Sequence, residues 1–276
     1  MYEAMNIAAT GLYNQQRRLD TIANNVANVN TAAFKNARLD FKDALYTAGY
    51  IPGKARSPEE NQQKGHGVMI AGIVKDFSTG SLIRTDRSLD LAIEGEGFYA
   101  LSDPDGNTVY TRNGSFNLST EDDGVYLVNS DGLYIQDADG ERIRFPELTS
   151  GIRVDTKGVI TFTVERETTI EAEEGEEAEV VIEEVELASV QLGIFTFRNI
   201  SGLLSAGSGN YAESAASGER RIADEAVIRQ GVIEGSNVKL ADEMTRLIRT
   251  QRAFTLSSRA LRTADDMEGI ANNMKK

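Results

Sequence analysis

From residue 5 to residue 29, positions that are apolar in all but one case recur in alternate steps of three and four: Met5, Ala8, Leu12, Gln15, Leu19, Ile22, Val26 and Val29. That spacing predicts a helix of about four heptads whose contact surface is a narrow seam. The far end repeats the pattern, with Leu240, Leu247, Phe254 and Leu261 recurring every seven residues and Met244, Gln251 and Ser258 on the companion positions. A seam this narrow needs another helix, since docking on a globular core uses a broader face. The expected helical assembly regions are 1–36 and 232–276, paired as a coiled coil within the chain, between subunits, or both.

The texture between them is different. Short alternating or β-branched runs such as LDLAIEGEGFYAL, GNTVYTRNGSFNL, GVYLVNSDGLYIQDADGERI, GIRVDTKGVITFTV and ELASVQLGIFTF are punctuated by Gly, Asp and Asn. This pattern predicts an antiparallel all-β domain over 81–231, giving an α+β fold class overall. Residues 37–80, with Pro52, Pro58 and several glycines, are expected to be an extended linker into the sheet domain. Eleven glutamates and one arginine fill 165–186, leaving a net charge of only −4 for the rest of a chain whose total is −14. With β-branched runs on both sides, that segment predicts a hairpin with a solvated acidic tip.

Composition removes several function classes. There is no cysteine, which excludes disulfides and thiolate chemistry. The one histidine, His66, lies in KGHGV and is expected to be a loop residue. No catalytic, cofactor-binding or metal site is expected: DADGE and SDPDGN lack the glycine and glutamate spacing of a calcium loop and fit hairpin turns instead. EGEGF at 94–98 continues as strand, whereas a phosphate cradle needs a helix start after it. The acidic chain, with its arginines interspersed along helices, argues against nucleic-acid binding. No apolar run is long enough for a membrane span, and no cleavable leader is visible at the start.

TIANNVANVNT at 21–31 is unusually rich in amide. With Ile22, Val26 and Val29 on the seam, Asn24, Asn25 and Asn28 fall off it, and they are expected to make polar contacts between subunits. The expected self-assembly seam is Leu12, Leu19, Ile22, Val26, Val29, Leu240, Met244, Leu247, Phe254 and Leu261.

Four ordered segments also carry a family resemblance: TGLYNQQRRLDTIANNVANVNTAAFK at 10–35, LDLAIEGEGFYAL, YTRNGSF, and GVIEGSNVKLADEMTRLIRTQRAF near the end. Together they resemble the flagellar basal-body rod and hook proteins of bacteria, most similar to the distal rod group. The resemblance implies a non-enzymatic structural subunit that polymerises into a hollow helical rod and transmits torque. It also implies export by the flagellar type III apparatus without a cleaved leader, and a place in the basal body outside the cytoplasmic membrane. Its implied partners are further copies of itself, adjacent rod and hook subunits, and a surrounding ring bushing. A proximal rod or hook subunit is the rival within the family. A secreted adhesin or carbohydrate-binding β protein with helical oligomerisation ends is the rival outside it, with Tyr99, Tyr110, Tyr126 and Tyr134 as candidate sugar-stacking residues.

Overall fold

The computed structural model describes residues 2–44, 46–48, 63–65, 67–121, 123–146, 149–169, 180–223 and 225–274. His66 and the tip of the acidic run lie outside the described residues. A long helix, α1 (Tyr2–Ala27), opens the chain and a longer one, α2 (Leu240–Asn273), closes it; the central domain between them is antiparallel β-sheet. The fold class is therefore α+β.

The chain divides into two compact units. The first contains 1–29, 36–76 and 238–276. Here α1 and α2 pack together, and a two-stranded ribbon of Ala37–Asp43 and Val68–Lys75 lies on α1. Thus the stretch read as an extended linker contributes paired strands. A bulge at Asp40/Phe41 interrupts the ribbon's register, and the Asn14 amide ties it to the helix by donating to the Val68 carbonyl at 2.5 Å.

The second unit contains 30–35 and 77–237. Its ten-stranded sheet is centred on Phe98–Ser102, which pairs with Thr108–Thr111, Tyr134–Ile135 and Ile194–Phe197. All five residues of that strand are buried, and its first four are continuously apolar where a half-exposed strand would alternate. Period-two geometry then splits its side chains between two cores. Tyr99 and Leu101 enter a core with Phe116, Leu127, Phe145 and Phe162, while Phe98 and Ala100 enter another with Tyr110, Phe195, Phe197 and Tyr211. Edge-to-face contacts order both, as in Tyr99 on Phe116 at 5.1 Å and Tyr110 on Phe197 at 4.8 Å. Beside the large sheet, Thr149–Val154, Val159–Thr169 and Val180–Gln191 form a three-stranded one, its last two strands paired from Val159–Gln191 out to Thr169–Val180.

The Asp-Gly segments are turns. Gly106 and Gly140 have positive φ, and the Asp137 carboxylate accepts the N–H groups of Asp139 and Glu141 within its own loop.

Gly114 of the YTRNGSF segment has a steric role. Its carbonyl accepts the Leu91 N–H at 2.8 Å, and a Cβ at 114 would overlap the Leu91 carbonyl. Gly11 in α1 has open space around it. We predict that Gly114→Ala destabilises the β unit by about 1–3 kcal/mol through backbone displacement. Gly11→Ala should stabilise α1 by about 0.8–1 kcal/mol through helix propensity. Chemical denaturation of the two variants checks the opposite signs.

Candidate assembly interface and its buried anchors

The covered face of α2 runs through Glu243, Leu247, Thr250, Phe254, Ser257, Leu261, Ala264 and Glu268, each buried or half-buried. These positions keep alternating steps of four and three. Leu247, Phe254 and Leu261 are half-buried on this face, but in place of Met244 and Gln251 the covered companion positions are Glu243 and Thr250, one residue earlier; Ser257 and Ser258 are both half-buried. Glu243 and Thr250 are 1% and 3% exposed, whereas Met244 is 45% exposed and Leu240 44%. On α1, Ile22 is buried and Leu12, Leu19 and Val26 are half-buried; Val29, just past its end, is half-buried as well.

The shift of register has a chemical cause. Where α1 ends and α2 begins, the Asn25 amide, 1% exposed, donates to Asn36 Oδ1 at 3.0 Å, the Ala37 carbonyl at 2.8 Å and Glu243 Oε2 at 3.3 Å. Its own Oδ1 accepts the Ala37 N–H at 3.0 Å. Glu243 Oε1 in turn accepts from Asn36 at 3.2 Å and Arg246 at 2.8 Å. An apolar criterion favours Met244, yet Glu243 is the residue whose buried carboxylate is fully met. The three asparagines therefore part company. Asn25 spends its hydrogen bonds inside the chain, Asn24 is exposed, and half-buried Asn28 donates to the Asn24 carbonyl at 2.9 Å.

A second anchor lies within the β unit. The Glu234 carboxylate, fully buried, accepts from Lys35 Nζ at 2.6 Å, Arg112 Nε at 3.0 Å and the Gly80 N–H at 2.7 Å. Lys35 also donates to the Ser78 carbonyl at 2.8 Å. Arg112 directs its remaining donors at the carbonyls of Ile93, Gly95 and Gly97. The EGEGF loop thus offers carbonyl oxygens to a guanidinium, the reverse of an anion cradle, which would offer N–H groups. No local pattern signals that Lys35, Arg112 and Glu234 meet. Burial pushes the Glu234 carboxyl up, but Arg112 and Lys35 attract its charge and the Lys35 and Gly80 hydrogen bonds favour it, and together they hold it below the ordinary range. Burial also drives the Tyr99 hydroxyl far above its ordinary value and pushes Tyr211 up to about 12.

The candidate sugar-stacking tyrosines do not form a platform. Tyr99 and Tyr110 are core residues. Tyr126 and Tyr134 pack edge-to-face on each other, Arg142 covers the Tyr134 ring at 4.4 Å, and their hydroxyls donate to Asp123 and Glu121. Among the described residues no cluster of metal-ligating side chains occurs.

Asn25, Lys35, Arg112, Glu234 and Glu243 all lie in segments that are recognisable by comparison with known proteins. Residues 5–35 match the family described as flagella basal body rod protein, 92–162 the flagellar hook protein FlgE/F/G D1 domain, and 229–274 the flagellar basal body rod FlgEFG protein C-terminal region. Flagellar basal-body rod protein FlgG of Borreliella burgdorferi is 35% identical over the full length of both chains. The chain belongs to the FlgG family of flagellar basal-body rod proteins. FlgG of Bacillus subtilis is 32% identical over the full length of both chains, and the flagellar hook-basal body complex protein FlhP of the same organism is 27% identical over the same extent. As a member of the FlgG family, the chain is a structural subunit of the flagellar basal-body rod, where it assembles with other subunits of the hook and basal body. No described helix is long and apolar enough to cross a membrane. The four segments that resemble this family supply Lys35, the three carbonyls, Arg112 and Glu234 in turn: Lys35 and Arg112 pair with the buried carboxylate, and the carbonyls accept from Arg112.

Two predictions follow from the anchors. Because the folded-state pKa of Glu234 is depressed, its contribution is present above the ordinary carboxylate range and is lost as pH falls through the folded value. Acid unfolding of the β unit should therefore be steep in that window for the parent chain. In Glu234→Gln it should be shallower, and stability at pH 7 should be lower by about 3–5 kcal/mol because two buried cations lose their anion. Urea denaturation across pH checks both. At the other anchor, Asn25→Ala should cost about 1–3 kcal/mol through unsatisfied partners, whereas Asn24→Ala should be neutral or slightly stabilising by helix propensity. Hydrogen exchange at the Ala37 amide locates the difference.

Proposed function

We propose that the chain polymerises through its helix pair into the hollow helical rod of the basal body, transmitting torque along it. In this reading it is exported by the flagellar type III apparatus without a cleaved leader, joins neighbouring rod and hook subunits outside the cytoplasmic membrane, and turns inside a surrounding ring bushing. Asn24 and Asn28 are the amides that contact neighbouring subunits, with Leu240 and Met244 extending the seam outside the single chain.

One observation carries the reading. The face of α2 that packs on α1 is only one of two apolar faces: Ile248, Leu256, Met267 and Ile270 are between 49% and 65% exposed on its other side. Burying a large apolar side chain contributes about 1.5–3 kcal/mol, so this second face favours contact with another helix. A drive shaft built this way spreads shear over many helix contacts in parallel.

The test separates the two faces. Ile248→Asp should leave the monomer's unfolding midpoint within error of the parent, because that side chain has few contacts in the single chain. It should abolish tube formation, since a charge at a buried contact costs several kcal/mol. Leu247→Asp should unfold the helix pair itself. Sedimentation and electron microscopy read assembly, and circular dichroism reads folding. Tubes from Ile248→Asp that match those of the parent would overturn the assignment of this face.

A further inference from the structure

Within the helical unit, the junction of α1, the ribbon and α2 holds two adjoining cavities. One, of about 150 Å³, is lined by Arg18 and Thr21 of α1, Arg38 of the ribbon, and Glu243 and Arg246 of α2. The other, of about 270 Å³, shares Arg38 and Arg246 and adds Lys75 and Asp76. Four cations thus face two carboxylates, and Glu243 already accepts from Asn25, Asn36 and Arg246. The guanidiniums, by contrast, keep donors in hand. Arg18 has no acceptor among the described residues, and its guanidinium lies 5.9 Å over the Phe41 ring. Arg38 gives Nε and one terminal nitrogen to Asp40 at 2.9 and 3.5 Å, and Arg246 gives one terminal nitrogen to Glu243 at 2.8 Å. Each guanidinium has five N–H groups, so all three retain several. Burial pushes the Lys75 ammonium below its ordinary range, which favours an anion beside it. A planar carboxylate is met by the fork of a single arginine, whereas three forks lining one cavity from three elements suit an ion with acceptors in several directions.

We propose that this junction is a binding site for a tetrahedral oxyanion of the phosphate class, with one phosphoryl group among Arg18, Arg38 and Arg246 and room for a second beside Lys75. The ligand that uses both cavities is a diphosphate. The site is complete within one chain and does not depend on the polymer reading. Because its donors come from α1, the ribbon and α2, the anion binds only where the three are packed together, and it stabilises the helical unit by mass action.

The experiment titrates the full chain with inorganic phosphate, pyrophosphate and citrate by calorimetry at one fixed ionic strength, so that exposed charges are equally screened throughout. Pyrophosphate should saturate one site per chain and bind about tenfold more tightly than phosphate, through the additional charge-assisted hydrogen bonds of its second group. It should also raise the midpoint of helix unfolding read by circular dichroism. Arg18→Gln should weaken both phosphates about tenfold, the loss expected for one charge-assisted hydrogen bond, and Arg18→Lys by less. Lys75→Gln should lower the affinity for pyrophosphate and leave that for phosphate unchanged. Arg18 has no acceptor in the chain to lose, so its variants are expected to fold as the parent does, which circular dichroism checks. Should Arg18→Gln lower helicity, Arg38→Gln takes its place, since the Arg38 pair with Asp40 is exposed. An absence of saturable pyrophosphate binding overturns the site, as does binding that the arginine variants leave unchanged. Citrate bound as tightly as pyrophosphate overturns the phosphate assignment.

Discussion

Glu234 is the point on which the β unit depends. Its carboxylate is reached from Lys35 in the N-terminal segment, Gly80 ahead of the sheet, and Arg112 after the central strand. A buried triad of two cations and one anion contributes little net stability over an apolar plug of the same size, but any arrangement lacking one member leaves an uncompensated charge in a dry interior. The energetic effect is therefore selective. Strand pairings that fail to bring residues 35, 112 and 234 together are penalised far more than the native one is rewarded. Gly80 and Gly114 serve the same end sterically, since a Cβ at either would overlap a carbonyl of the opposing chain, Gly235 in the first case and Leu91 in the second.

The helical unit uses a milder form of the same device. A seam filled only with Leu, Ile and Val slides at small cost, because neighbouring registers bury similar area. Asn25 against Glu243 removes that freedom: one turn of slip would draw Glu243 away from Asn25 and Asn36 and leave a buried carboxylate with Arg246 alone. Thr250 contributes by absence of demand, its hydroxyl bonding back to the Arg246 carbonyl at 2.8 Å within its own helix, so that a small polar residue occupies a buried position without needing a partner on α1.

Periodicity made the helices and the strand-rich middle legible because each reports a single local rule, heptad spacing or alternation between turn residues. The resemblance made the family legible. What local rules could not show were the meetings of distant residues. Glu243 was passed over for Met244 because hydrophobic patterning assigns a charged residue to solvent, and its burial becomes reasonable only once Asn25, Asn36 and Arg246 surround it. The Asn cluster stands out along the chain, yet sequence gives no means of separating Asn25, which faces the turn into the ribbon, from Asn24 one position along. Likewise the glycines of EGEGF signalled close backbone approach without revealing that their carbonyls would converge on Arg112. The ribbon strands at 37–43 and 68–75 were obscured by the prolines and glycines between them, which dominate the composition of the segment.

Charge is also partitioned between the two units. The helical unit holds sixteen basic and twelve acidic residues, the β unit thirteen basic and thirty-one acidic. A β-rich unit with strand edges risks pairing edge to edge with its copies. Strong like charge opposes that encounter at close range, over a screening length of about 8 Å at physiological ionic strength. The helical unit, near balance and with a second apolar face on α2, carries no such penalty. In the polymer proposed for this chain, cohesion is thereby confined to the helices, and the β units are held from one another by the same acidic excess that makes the whole chain so negative.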